Sequence, residues 1–194
     1  MDTTYGKPDT LLGTALAPLD WTRSVGLALT FSLLIAASAQ VKIPTWPVPI
    51  TGQTFAVLLT GALLGSRLGA AAVIAYLIEG ATGLPFFQGF NGGLQYLTGQ
   101  TTGYLIAFPA AAYITGAFAE NGWDKRFWSA AVAMAVGSLV ILLCGWAWLS
   151  QFMAPAVAFQ AGVVKFIVGD VVKIALAAAA LPLGWKLLKK KDRD

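Results

Sequence analysis

Six stretches of this sequence are apolar and nearly free of charge: about 22–40, 51–66, 68–81, 100–119, 127–149 and 157–185. A bilayer core roughly 30 Å thick needs about 20 mostly apolar residues per helical crossing. Most of these stretches meet that length, although the second and third are short and joined by a tight turn at Ser66-Arg67. Only 11% of the 194 residues are charged, against 57% hydrophobic, and the mean hydropathy is +0.71. An ordinary soluble domain carries about 25% charged residues. The expectation is an all-α integral membrane protein with six transmembrane helices and structured external loops. One membrane domain would cover 22–185, with an N-terminal segment 1–21 and a basic tail 186–194.

The cations set an expected orientation. With six crossings, one side receives Lys7, Arg23, Arg67, Lys125, Arg126, Lys186, Lys189, Lys190, Lys191 and Arg193, and the other receives Lys42 alone. Positive charge concentrates on the cytoplasmic side, so both termini are predicted to be cytoplasmic. A basic end beside a membrane helix reads as such a marker and not as a nucleic-acid site. The first 20 residues hold Asp2, Asp9 and Asp20 and no apolar core, unlike a signal peptide. The chain has no histidine and one cysteine, Cys144. A His or multi-Cys metal site and a Ser-His-Asp or Cys-His catalytic group are therefore excluded. Cys144, in an apolar run, reads as a small buried hydrophobe.

Three ionisable residues, Lys165, Asp170 and Lys173, interrupt the last apolar stretch. A charge at membrane depth costs roughly 2.5–3.5 kcal/mol on insertion scales, so it tends to have a partner or a ligand. Asp170 and Lys173 share a helix face. Asp170 precedes Trp185 by about 15 residues, or roughly 22 Å of helix, which places it in the outer half of the bilayer. The pair reads either as a binding site open to the outside or as an ion pair pinning two helices. Lys165 is nearer the surface and reads as a snorkelling cation. Glu79, at the outer end of the third stretch, reads as interfacial or as a site residue.

Two outer loops stand over this face. The first, Ile43-Pro-Thr-Trp-Pro-Val-Pro-Ile-Thr-Gly-Gln-Thr54, has three prolines that stiffen its path. Thr51 reads as a helix N-cap or a ligand group, and the Gln53 amide requires a partner at membrane depth. The second, 82–99, is rich in glycine and carries Phe86, Phe87, Phe90, Asn91 and Tyr96. A loop this long in a compact domain is usually a lid or a binding loop. Its glycines lack the lysine and spacing of a phosphate-binding loop. In the first helix, Ser24, Ala28, Ser32 and Ala36 recur every four residues as a stripe suited to close helix contact, within the chain or with another subunit. Gly61, Gly65 and Gly69 read as internal packing.

Taken in order, Pro47-Val-Pro-Ile-Thr-Gly-Gln-Thr54, Gly83-Leu-Pro-Phe-Phe87, Asn91-Gly-Gly93, Gly99-Gln-Thr-Thr-Gly-Tyr104 and Gly169-Asp-Val-Val-Lys173 resemble the BioY family, the biotin-binding S-components of energy-coupling factor transporters. The match runs from about residue 24 to 185, departing at Gln100, where the family pattern has Pro. The resemblance implies six transmembrane helices in the bacterial cytoplasmic membrane and an outward biotin site capped by loops. It also implies a transmembrane coupling protein and two ATPase subunits as partners, no enzymatic activity and no cofactor. Ala28, Ser32 and Ala36 resemble the docking surface for the coupling protein. Biotin presents an apolar bicycle, a ureido group and a carboxylate. Asp170 and Asn91 suit the ureido group, and Lys173 suits either Asp170 or the ligand carboxylate. Gln53 adds an amide, while Phe86, Phe87, Phe90 and Tyr104 suit the bicycle. No Arg lies between 101 and 119 to act as a second cation; Lys165 is the remaining candidate. The competing readings are a self-sufficient carrier of a small carboxylate coupled to ions through Asp170, Lys173 and Glu79, and a membrane enzyme. The enzyme lacks a second deep carboxylate.

Overall fold

A computed structural model describes residues 10–191. Lys7 and Arg193 of the cation count, and Asp2 and Asp9 of the N-terminal segment, lie outside them. The main elements are helices α1 (Leu11–Ala15), α2 (Trp21–Gln40), α3 (Gln53–Leu64), α4 (Ser66–Ala81), α5 (Thr102–Glu120), α6 (Phe127–Leu149), α7 (Pro155–Phe159) and α8 (Lys165–Lys191). A two-residue hairpin, β1 (Lys42–Ile43) against β2 (Ile50–Thr51), follows α2, with Lys42 opposite Thr51. A π turn, Gln160–Val164, joins α7 to α8.

Among the described residues, four helical stretches are long and apolar enough to cross a membrane: α2, α5, α6 and the continuous rod Pro155–Leu188. The two short apolar stretches become α3, with 12 residues, and α4, with 16. At 1.5 Å per residue these span about 18 and 24 Å, less than the roughly 30 Å of hydrocarbon. Their junction is a single residue, Gly65, at φ +89°. That conformation favours glycine, and a Cβ there would lie 2.9 Å from Glu120 Oε1. Glu120, ending α5, accepts from the Ser66 amide and hydroxyl, both at 2.9 Å. A side chain at the end of one helix thereby satisfies one of the orphan donors that start another.

Backbone proximity sets the packing of these helices. A Cβ on Gly61 would stand 2.2 Å from the Ala112 carbonyl oxygen of α5. Gly61, Gly65 and Gly69 all take part in close contacts within the chain. Thr115 of α5 donates across to the Leu58 carbonyl at 3.3 Å, the kind of small and hydroxylated contact that joins helices in lipid. The outside is the apolar part: Leu33, Ile106, Leu139, Val168 and Leu176 are exposed. Cys144 is also exposed, on the outer face of α6. The buried position expected for it is therefore corrected; an apolar neighbourhood in sequence suits lipid as well as a core.

Asp124 anchors the end of the bundle opposite the hairpin. It accepts from Trp185 Nε1 at 2.6 Å, and Lys125 Nζ lies 4.7 Å from the centre of the Trp185 ring. Its Oδ1 is buried without a hydrogen-bond partner. Burial pushes its carboxyl above the ordinary value, against a smaller opposing effect of the Trp185 bond.

Candidate functional site

The long loop after α4 is an ordered cover. Gly93 N donates to the Gly80 carbonyl at 2.7 Å, and Phe87 N to the Asn91 carbonyl at 2.9 Å. Phe87 is fully buried on Gly80, where a Cβ would lie 2.4 Å from its ring. Its ring stacks on Tyr96 at 4.8 Å and meets Tyr76 edge-on at 5.7 Å. The far end of the loop is tied to α6 by Trp148 Nε1, which donates to Gly99 O at 2.9 Å. Burial pushes the Tyr96 phenol up, so it stays a neutral donor, directed at Gln88 Oε1 at 3.4 Å.

A cleft lies between this cover, the hairpin and α5. Val48, Pro49 and Thr51 form one wall, Gln88 and Tyr96 the roof, and Tyr104, Phe108 and Phe166 the apolar wall. Gln53 and Thr54, starting α3, close one end. The space enclosed is about 30 Å³, room for about two waters at 10–15 Å³ each. Tyr104 is held in a slot made by two glycines. A Cβ on Gly145 would meet its ring at 2.1 Å, and one on Gly162 would meet its hydroxyl at 2.3 Å. The hydroxyl donates to the Gly162 carbonyl in the π turn at 2.9 Å, and the ring stacks on Phe166 at 5.8 Å.

A chain of polar groups crosses the bundle beneath the cleft. Tyr76 donates to the Phe86 carbonyl of the cover at 3.5 Å and accepts from Gln53 Nε2 at 2.5 Å. Thr51 Oγ1 donates to Gln53 Oε1 at 3.1 Å. Lys173 Nζ donates to the Thr51 carbonyl and Thr54 Oγ1, both at 2.8 Å, and lies 3.5 Å from Asp170 Oδ1. Asp170 Oδ2 accepts a short hydrogen bond from Ser138 of α6. Asp170 is 6% exposed, and a buried carboxylate requires such partners.

The predicted site residues separate in space. Tyr104 and Gln53 line the cleft, although Gln53 finds its partner in Tyr76. Asp170 and Lys173 lie behind Thr51 and Thr54. Phe87 is a seat for the cover and does not line the cleft. Phe90 is 71% exposed at the tip of the cover, at φ +59°, and Asn91 is exposed, with its Nδ2 donating to the Gln88 carbonyl at 2.8 Å. Glu79 accepts from Ser32 at 2.7 Å, and Lys165 donates to the Trp46 carbonyl at 3.4 Å. Ser24, Ser32 and Ala36 are buried and Ala28 half-buried, so the chain itself covers much of the stripe. Gln88, Phe166 and Ser138 escaped the sequence argument. Ser138 alone had a legible signal, a hydroxyl inside the apolar run 130–145.

The order of these elements can be compared with known proteins. A family model described as the BioY family matches residues 9–190. This chain belongs to the BioY family. Its relatives include a probable biotin transporter BioY of Pyrococcus horikoshii, 42% identical over 80% of this chain and 91% of the relative. The biotin transporter BioY of Thermotoga maritima is 37% identical over 76% and 87%. The fold matches the crystal structure of the S-component for biotin from an ECF-type ABC transporter, with a TM-score of 0.76 at 24% identity, covering 85% of this chain and 92% of that one. The residues that the BioY model matches include the hairpin, the cover, α3, α5 and the final helix, which together line the cleft.

Proposed function

We propose that this BioY protein captures biotin from the outside of a bacterial cytoplasmic membrane, as the substrate-binding subunit of an ECF-type ABC transporter. The observation that carries this reading is the covered cleft: an aromatic wall, an amide and hydroxyl rim, and a buried acid–base pair directly behind the rim. Biotin needs the same three surfaces, for its bicycle, its ureido group and its carboxylate. Small-molecule sites run to roughly 300–1,000 Å³, so occupation requires the roof side chains Gln88 and Tyr96 to move aside. A ligand that displaces the Thr54 hydroxyl reaches Lys173, and Asp170 lies one contact further. Tyr104 offers its ring, and Asn91 and Phe90 become contacts only if the cover rearranges.

Six crossings with both termini cytoplasmic fit the distribution of cations, with α3 and α4 as two short crossings. The hairpin and the cover then face outward. Transport would draw on a transmembrane coupling protein and two ATPase subunits, with the subunit reorienting in the membrane to release biotin inward. An ion-coupled carrier is less well supported, because Glu79 bonds to Ser32 of α2 while Asp170 bonds to Ser138 and Lys173. Equilibrium binding of biotin to the purified chain tests the reading. Asp170→Asn and Lys173→Ala are expected to weaken binding about 10- to 100-fold, as for hydrogen bonds to charged groups. No binding by the parent, or unchanged affinity in both variants, refutes it. Uptake by vesicles of this chain alone under a pH gradient would favour the carrier.

A further inference from the structure

Gln40 ends α2 and has no feature in the sequence that singles it out. In the structure its amide grips the cover. Nε2 donates to the Phe87 carbonyl at 3.1 Å and to the Ala36 carbonyl at 3.2 Å. Oε1 accepts from Gly89 N at 3.1 Å and from Phe90 N at 3.0 Å. Two successive amides converge on one oxygen because Gly89 and Phe90 both take positive φ, +76° and +59°. Among the described residues Phe90 is the one non-glycine with positive φ. Such a conformation persists only where the surroundings enforce it.

The gripped residues flank Gln88, whose side chain roofs the cleft. Three further hydrogen bonds at this corner, Phe87 N to Asn91 O, Asn91 Nδ2 to Gln88 O and Tyr96 Oη to Gln88 Oε1, run within the loop and shape it. Tyr76 of α4 reaches only the start of the corner, donating to the Phe86 carbonyl at 3.5 Å. Gln40 ties down Phe87, Gly89 and Phe90, from a helix that contributes nothing to the cleft lining.

We propose that Gln40 is a positioning residue for ligand capture: it holds Gln88 over the cleft and sets how long a bound ligand stays. This rests on the biotin-binding reading of the cleft. A ligand beneath the cover leaves only when the 86–92 corner lifts, and lifting breaks the three bonds from Gln40 to the loop. Neutral hydrogen bonds are individually modest, so their combined loss corresponds to dissociation about tenfold faster or more. Association also begins from the lifted cover, and the same bonds hold the cover down in the free protein, so association becomes faster too and affinity changes less than either rate.

The test uses the full chain with Gln40→Met, which keeps the volume of the side chain and none of its bonds, beside Gln40→Ala. Two quantities are measured: deuterium uptake at amides 86–92 in ligand-free protein, and biotin association and dissociation rates. The expected result is faster exchange confined to 86–92, with dissociation about tenfold faster and association also faster. Unchanged exchange or unchanged dissociation in both variants overturns the proposal. So does faster exchange throughout the chain, which would mean a general packing role. If the parent binds no biotin, the functional reading fails, and exchange alone decides whether Gln40 holds the cover.

Discussion

Removing Lys173 is expected to cost more than removing Lys173 and Asp170 together. Lys173→Met deletes the ammonium and leaves Asp170 buried, with Ser138 as its remaining partner. At 3.5 Å and an effective dielectric of 20, the attraction between the two charges is about 5 kcal/mol before desolvation. Breaking a buried pair from one side costs about 3–5 kcal/mol. The separation is longer than the roughly 2.8 Å of a good charged hydrogen bond, and Lys173 has two closer neutral partners. The lower value, about 3 kcal/mol, is therefore expected. For a chain of this size that corresponds to a fall of about 6–12 °C in Tm. Asp170→Asn with Lys173→Met leaves no buried charge, and the Ser138 hydroxyl rotates to suit an amide. The double variant is thus expected to melt several degrees above Lys173→Met alone. The assay is thermal unfolding of purified protein in one detergent, for the parent, both single variants and the double. Additive losses, or a Lys173→Met protein as stable as the parent, would refute the idea that the pair is held by mutual compensation.

Gly80→Ala places a Cβ about 2.4 Å from the Phe87 ring; proteolysis within 84–92 is expected to accelerate while α5 and α6 stay protected, and an unchanged cleavage pattern would count against Phe87 as the seat of the cover. Burial raises the Asp124 carboxyl, so folding takes up a proton there. That contribution is complete below the ordinary carboxylate value of about 3.9 and is lost as pH rises through the folded value. Asp124→Asn should therefore gain Tm over the parent as pH rises from about 4 to 7, and a margin that shrinks over that range sinks the assignment. Lys42 lies against Gly89 of the cover, and residues 41–52 and 82–101 contain no carboxylate. Lys42→Gln is expected to slow biotin association at low salt and to flatten its salt dependence. Equal association rates in both proteins at low salt would remove Lys42 from that role.

The ordered cover was legible because glycines and aromatics concentrate in a loop too long for a mere connection, and the buried pair because charge in an apolar stretch is conspicuous. Which residues of the cover face inward was not legible. Phe87 and Phe90 are three apart and equally aromatic, yet one is buried and one exposed, because the ring that finds the Gly80 surface depends on the path of a loop bent at Gly89, Phe90 and Gly93. The stripe on α2 was visible as a pattern, while its direction depended on where α4 lay.

Residue order alone was enough to identify a bundle of membrane helices and to place its apolar segments. These follow from transfer energies that each residue carries alone, whatever its distant neighbours. The tertiary structure decided the partners. Lys173 reaches Thr51 across 122 positions, Asp170 meets Ser138 across 32, and Gln40 holds Gly89 across 49. Hydrogen bonds at membrane depth are pairwise and directional, so their assignment waits until the helices are packed.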